Sequence, residues 1–199
     1  MNFQLFIPGG IVAVLAFSAV RNNDKVGLLL FSDIIEKYIP PKKGRFHVLR
    51  LIREVLYFKP SGKKTNIGGA MDYLLRVIKK RSVMFLISDF LDNGFQRPLG
   101  LAAKKHDLIA AEIYDPLERH IPKTGIINLK DLETGKELLV DFSNKDNRRN
   151  LVLRTQSQRT KLHGFFKRHK IDIVEISTHE DYTQPLFLFF ERRAKRIRR

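Results

Sequence analysis

Two side chains in this sequence have the chemistry of a metal site and sit at positions from which such a site could be built. Thr65 lies in a polar loop just before an apolar helical pattern, and Asp89 stands immediately past an apolar run. A hydroxyl and a carboxylate from neighbouring loops make a hard, oxygen-only donor set of the kind Mg²⁺ or Mn²⁺ takes. Ser88, Asn66 and Asp92 flank the pair and are the accompanying candidates for binding. Each position also has a plainer reading: Asp89 could cap the following helix, and Thr65 could cap the helix after it, with Asn66 competing for that role.

Other chemistries are excluded by spacing. Gly62-Lys-Lys-Thr65 is not a phosphate-binding loop: Lys63 separates Gly62 from Lys64-Thr65, and Tyr57 stands where the distal glycine belongs. The six His residues form no HExxH or similar ligand pattern, so most are expected at the surface. Asp89 to Gly94 lacks the alternating acids of a calcium loop. Neither a Gly-x-Ser-x-Gly elbow nor a Ser-His-Asp order is evident, which leaves a metal-dependent hydrolase as the third-ranked function.

The elements that must position Thr65 and Asp89 follow from periodicity. Val83 to Ile87 is an unbroken apolar run, which predicts a strand buried on both faces at the centre of a parallel sheet. In open α/β sheets ligands bind beyond the carboxyl ends of strands, where Asp89 lies. Ile67, Met71, Leu74 and Ile78 mark one face of the helix that Thr65 introduces. Around this pair the chain alternates. A buried helix opens at Gly9-Gly10 and ends near Arg21-Asn22-Asn23, followed by a strand from Lys25 to Asp33 and a short one from Ile34 to Ile39 that Pro40-Pro41 stops. Helices are expected over 45–57, around 99–105, over 144–168 and over 182–194, with strands over 108–114 and 171–176. Ile126 to Leu132 and Lys136 to Asp141 flank Glu133-Thr-Gly135, a β-hairpin signal. Such alternation implies a mostly parallel sheet with helices on both faces.

The 199 residues, 43% of them apolar, suffice for one α/β domain over 1–199 with a basic tail over 191–199. Ile11 to Val20 has the apolar character of a signal-peptide core, but no Lys or Arg precedes it and the run is too short to span a bilayer. With no Cys there is neither a disulfide framework nor a thiolate metal site, and a reducing, cytoplasmic location is expected. The net charge of +16, with Arg192, Arg193, Lys195, Arg196, Arg198 and Arg199 crowded at the end, makes nucleic acid or an anionic membrane surface the alternative partner.

Several motifs in order give the chain a family likeness. Asn23-Asp-Lys-Val-Gly-Leu, Tyr38-Ile-Pro-Pro, Thr65-Asn-Ile-Gly, Leu86-Ile-Ser-Asp-Phe90, Asp115-Pro-Leu-Glu118, Pro122 with Gly125, and Asp131-Leu-Glu-Thr-Gly135 run from about Ile11 onward. The chain resembles the bacterial family called domain of unknown function 58. That resemblance implies a von Willebrand factor A-like fold. It also implies a non-enzymatic protein-interaction role beside a MoxR-type AAA+ ATPase or its client, since genes of the two families often adjoin. The metal-ion-dependent adhesion site of such folds combines an Asp-x-Ser-x-Ser segment after the first strand, a loop Thr and a strand-end Asp. By resemblance Thr65 and Asp89 are the last two. The first is absent, because Met1 to Gly10 contains no Asp or Ser. The first central strand is therefore expected to be missing or replaced by Phe3 to Ile7. With an incomplete site, Mg²⁺ or Mn²⁺ would bind weakly or not at all.

Overall fold

The computed structural model describes residues 3–130 and 137–197. Helix α1 (Phe3–Arg21) leads into β1 (Val26–Phe31) and β2 (Ile35–Lys42), then α2 (Arg45–Leu56), α3 (Ile67–Val77), β3 (Val83–Ser88) and α4 (Gln96–Lys105). Next come β4 (Asp107–Tyr114), the short α5 (Pro116–Arg119), β5 (Ile126–Lys130), β6 (Glu137–Asp141), α6 (Lys145–Arg168), β7 (Asp172–Ser177) and α7 (Thr183–Ile197). The turn expected at Glu133-Thr-Gly135, like the Asp131 to Gly135 motif, lies outside the described residues, but β5 and β6 pair antiparallel on either side of it.

β3, β4 and β7 form a parallel sheet in the order β3-β4-β7, with Val83 opposite Asp107 and Ile109 opposite Asp172. β4 alternates between two cores. Leu108 and Ala110 face Phe90, Leu99 and Phe166 on the side of α3, α4 and α6, while Ile109 and Ala111 face Ile11, Leu186 and Phe189 of α1 and α7. A two-residue period on a strand with helices above and below produces this split. The result is the architecture expected from sequence, an α/β fold whose parallel sheet is flanked by helices as in von Willebrand factor A-like and Rossmann-like chains. The closeness of the α1–α7 layer shows at Gly10, where a Cβ would stand 2.3 Å from the Tyr182 hydroxyl.

Three sequence expectations change. Phe3 to Ile7 is helical, the first turns of α1, so it replaces no strand. Val83 to Ile87 is not central: β4 is, with five consecutive buried residues, whereas only Leu86 of β3 is buried and Val83 is 58% exposed. Among the described residues, β3 has a partner on one side only. Finally, β2 continues through Pro40 and Pro41, since among the described residues it pairs only with β1 and is an edge strand, where a missing N–H costs no ladder bond.

The antiparallel pair β1-β2 is a separate two-stranded sheet. Its Ser32 carbonyl accepts the Asn66 N–H at 3.0 Å, which brings the end of β1 to the start of α3. The Asp92 carboxylate, just past β3, accepts the Ile67 N–H at 2.8 Å and brings the end of β3 to the same place. β1 and β3 therefore end together, and between them opens a cleft of about 2140 Å³.

Candidate functional site

The mouth of this cleft carries the sequence candidates. Thr65, Ser88 and Asp89 line it, together with Asp115, Glu118 and Thr178. Their positions follow from local structure. Asn66, not Thr65, caps α3, its Oδ1 accepting the Gly69 N–H at 2.7 Å. Asp89 caps no helix, because Phe95 is the residue before α4 and makes no side-chain cap. Instead Asp89 Oδ1 accepts the Leu91 N–H at 3.2 Å and a hydrogen bond from the Ser88 hydroxyl at 3.4 Å. The Ser88 oxygen in turn accepts the Phe90 N–H at 3.1 Å. Asp92 is committed to the backbone, with Ile67 N–H on one oxygen and Asn93 N–H on the other.

The turn that exposes Asp89 is held by an aromatic residue in an uncommon conformation. Phe90 has φ of 56° and is buried against Phe166 and Phe95, at ring separations of 5.2 and 6.1 Å. A bulky residue in this left-handed region costs about 1–2 kcal/mol, which packing of this kind offsets. Its effect is to end β3 abruptly and leave the Asp89 carboxylate exposed at the cleft.

Sequence reasoning did not place Asp115, Glu118 and Thr178 at the site. Asp115 follows β4 as Asp89 follows β3, an acid just past an apolar strand, and that signal was available. It caps α5 by accepting the Leu117 N–H at 2.8 Å. The Glu118 carboxyl is pushed above its ordinary value by loss of solvation, then by the neighbouring Asp115 and Asp89 carboxylates. Thr178, just after β7, has a buried hydroxyl oxygen with no hydrogen-bond partner. Asp115 and Asp89 are near enough to Glu118 to add to the effect of burial, and the acids and hydroxyls lining the mouth are oxygen donors of the kind a hard divalent cation takes. Thr65 would be one of its hydroxyl donors and Asp89 its exposed carboxylate.

A second acid cluster lies farther along the same sheet and is already compensated. Glu112 of β4, Glu175 of β7 and His163 of α6 bring possible metal-ligand atoms within 4.8 Å of one another. His163 Nε2 is 2.7 Å from Glu112, whose side chain is 8% exposed. Arg119 meets Glu175 at 3.2 Å, and Arg159 bonds the same carboxylate. Burial alone would raise the Glu175 carboxyl, but the Arg159 and Arg119 guanidiniums more than offset it and hold it below its ordinary value. Arg119 also stacks on the Tyr114 ring, 3.1 Å from its centroid. Two guanidiniums beside two carboxylates make this a structural ion network that repels a further cation. His163 is thus not a free surface histidine, and neither is His106, which is 2% exposed with both ring nitrogens unpartnered and its pKa lowered by burial and then by Lys105.

The basic tail is partly consumed by the fold. Arg193 bonds Asp107 and Asp172, the first residues of β4 and β7, and Arg196 reaches Asp172 at 2.6 Å. Arg192 and Lys195 are exposed, while Arg198 and Arg199 lie outside the described residues. No described helix is long and apolar enough to cross a membrane.

Residues 7–161 match the model of the family described as protein of unknown function DUF58. The chain belongs to that family. It is similar to the uncharacterized protein Rv1480 of Mycobacterium tuberculosis and the uncharacterized protein Mb1516 of Mycobacterium bovis, each 28% identical over 139 residues, 67% of this chain and 44% of the relative. A shorter relative, the uncharacterized protein MAV169 of Mycobacterium avium, is 34% identical over 113 residues, 54% of this chain and 67% of the relative. The chain thus spans under half the length of the first two relatives. No solved structure matches it.

Proposed function

We propose that this member of the family is a protein-binding module, not an enzyme, and that its contact face is the cleft mouth at the carboxyl edge of the sheet. One observation carries the reading: Asp89, Asp115 and Glu118 line the same cleft mouth beside hydroxyls and an exposed opening, and the two aspartates add to the burial that raises the Glu118 pKa. A site with three carboxylates is stabilised by a cation, and an incomplete set of protein ligands leaves room for a partner's carboxylate to complete the shell. The partner that the family resemblance supports is a MoxR-type AAA+ ATPase or its client, so the module serves ATPase-linked assembly or maturation of other proteins.

Calorimetric titration of Mg²⁺ and Mn²⁺ into the chain tests the first half, with Asp89→Ala as control. Saturable heat that the variant loses is the expected result. For the second half, immobilised chain should retain a purified MoxR-type ATPase in Mg²⁺ and release it into EDTA. Retention indifferent to both EDTA and Asp89→Ala would sink the proposal.

A further inference from the structure

The tail accounts for only part of the +16 charge, and a dense share of the rest lies on α6. From Lys145 to Lys170 the chain carries nine Lys and Arg side chains against one acid, Asp146. Two of the nine are spent inside the fold, Arg148 on the Phe142 and Ser143 carbonyls and Arg159 on Glu175. The remaining seven are exposed, and none makes an ion pair among the described residues. Lys145 and Arg149 are four residues apart, a like-charge pair that works against the helix holding it. Burial does not explain the helix either, since of its 24 residues only Phe165 and Phe166 are buried.

The spacing sorts these cations. At about 100° per residue they fall on two flanks of the exposed face of α6. Arg149 and Lys167 lie on one flank. Arg154, Lys161 and Arg168 lie on the other, seven residues apart and so about 10 Å from one another along the axis. Between the flanks runs an uncharged strip with Asn150, Leu153 and Ser157 exposed on it, and Asp146 stands at its amino end. α4 packs on the carboxyl end of α6, with Phe95 and Phe165 at a ring separation of 6.5 Å. It brings Arg97 and Lys104 as further exposed cations, and no acid.

Two rows of cations with an uncharged strip between them suit a groove with two negative rims. The major groove of B-form DNA is about 12 Å wide and admits an α-helix, with hydrogen-bonding base edges and thymine methyl groups on its floor. The competing anions fit less well. Duplex RNA has a major groove that side chains cannot read. Single strands are held by stacking on aromatic rings, and α6 exposes none. An anionic membrane favours a helix with large apolar side chains to insert, and Leu153 stands alone in that role on α6.

We infer that α6 is a DNA-binding helix. It lies in the major groove of a duplex, with Arg149 and Lys167 toward the phosphates of one strand and Arg154, Lys161 and Arg168 toward those of the other. Asn150, Leu153 and Ser157 then face the base edges. Phosphate contacts predominate, so binding is strong in low salt and only weakly selective for sequence. The contact is independent of the cleft and of any protein held at its mouth.

Anisotropy of a fluorescein-labelled DNA duplex of about 20 base pairs, two helical turns, tests the inference over a series of NaCl concentrations. Five phosphate contacts predict a slope of log K against log salt of about −4 to −5. The triple variant Arg154→Gln, Lys161→Gln, Arg168→Gln should weaken binding at least about tenfold and bring the slope about 3 units nearer zero. Lys at positions 154 and 168 keeps the charge and should hold affinity within about threefold. Arg192→Gln with Lys195→Gln, on the tail, should weaken binding by no more than about twofold. Duplex RNA of the same sequence should bind at least about tenfold more weakly than the DNA. The inference is overturned by DNA binding that ignores the triple variant, or by a tail variant as damaging as the helix variant. Duplex RNA or phosphatidylglycerol vesicles holding the chain as tightly as DNA would overturn it too.

Discussion

β3 and β4 are neighbouring parallel strands with almost the same apolar content, and their surroundings are opposite. β4 has β3 on one side, β7 on the other and helices on both faces, and its middle is fully buried. β3 borders the cleft, and the leucines of β1 across from it are likewise only half-buried. One half of the molecule is closed by its own residues. The other presents the same kind of strand to an open space. An apolar run therefore records the burial a strand is suited to, which the described residues supply fully at β4 and in part at β3.

The largest test of this contrast is a pair of truncations. Ile109→Ala in β4 should cost about 3 kcal/mol in urea denaturation, while Ile87→Ala in β3 should cost about 1 kcal/mol, because its side chain already borders open space. Equal costs would break the comparison. Next comes the clasp on the closed half. Arg193→Ala leaves Asp107 and Asp172 short of their shared cation at the starts of β4 and β7, and should cost about 2 kcal/mol, below the range for fully buried pairs because both acids are partly solvated.

A smaller effect is expected at His106, just ahead of β4. Burial lowers its pKa in the folded chain, so the unfolded chain takes up the proton first, near the ordinary value of about 6.5. Stability should be intact above that pH and decline as pH falls below it. His106→Leu should flatten this dependence in pH-resolved thermal melts. Glu175 acts at more acid pH: its lowered pKa contributes stability present above the ordinary carboxylate range and lost as pH falls through the folded value. The smallest change belongs to the open half. Asp89→Ala should alter stability by no more than about 0.5 kcal/mol, as for other exposed polar positions, whatever it does to cation binding.

Much of the fold was legible because its cause is local. The spacing of Ile67, Met71 and Leu74 made α3, and apolar runs closed by acids made β3 and β4. What escaped depends on neighbours distant in sequence. Pro40 and Pro41 are tolerated because β2 is an edge, and β3 lies at the sheet margin because nothing described pairs its outer side. The site was half visible: Thr65 and Asp89 stand out beside their elements, whereas Thr178 joins them only through the placement of β7. The Glu112–His163–Glu175 network was invisible, since its members are separated by 51 and 12 residues and share no motif.

The α1–α7 layer also sets a schedule. Ile11 is buried against Ile109, Ile176 and Leu186, residues that leave the ribosome long after it does. Helix α1 must therefore wait, apolar face uncovered, until β4, β7 and α7 have been made. Contacts spanning nearly the whole chain slow folding and leave the nascent chain open to aggregation. A stall before residue 186 should leave that face of α1 incomplete.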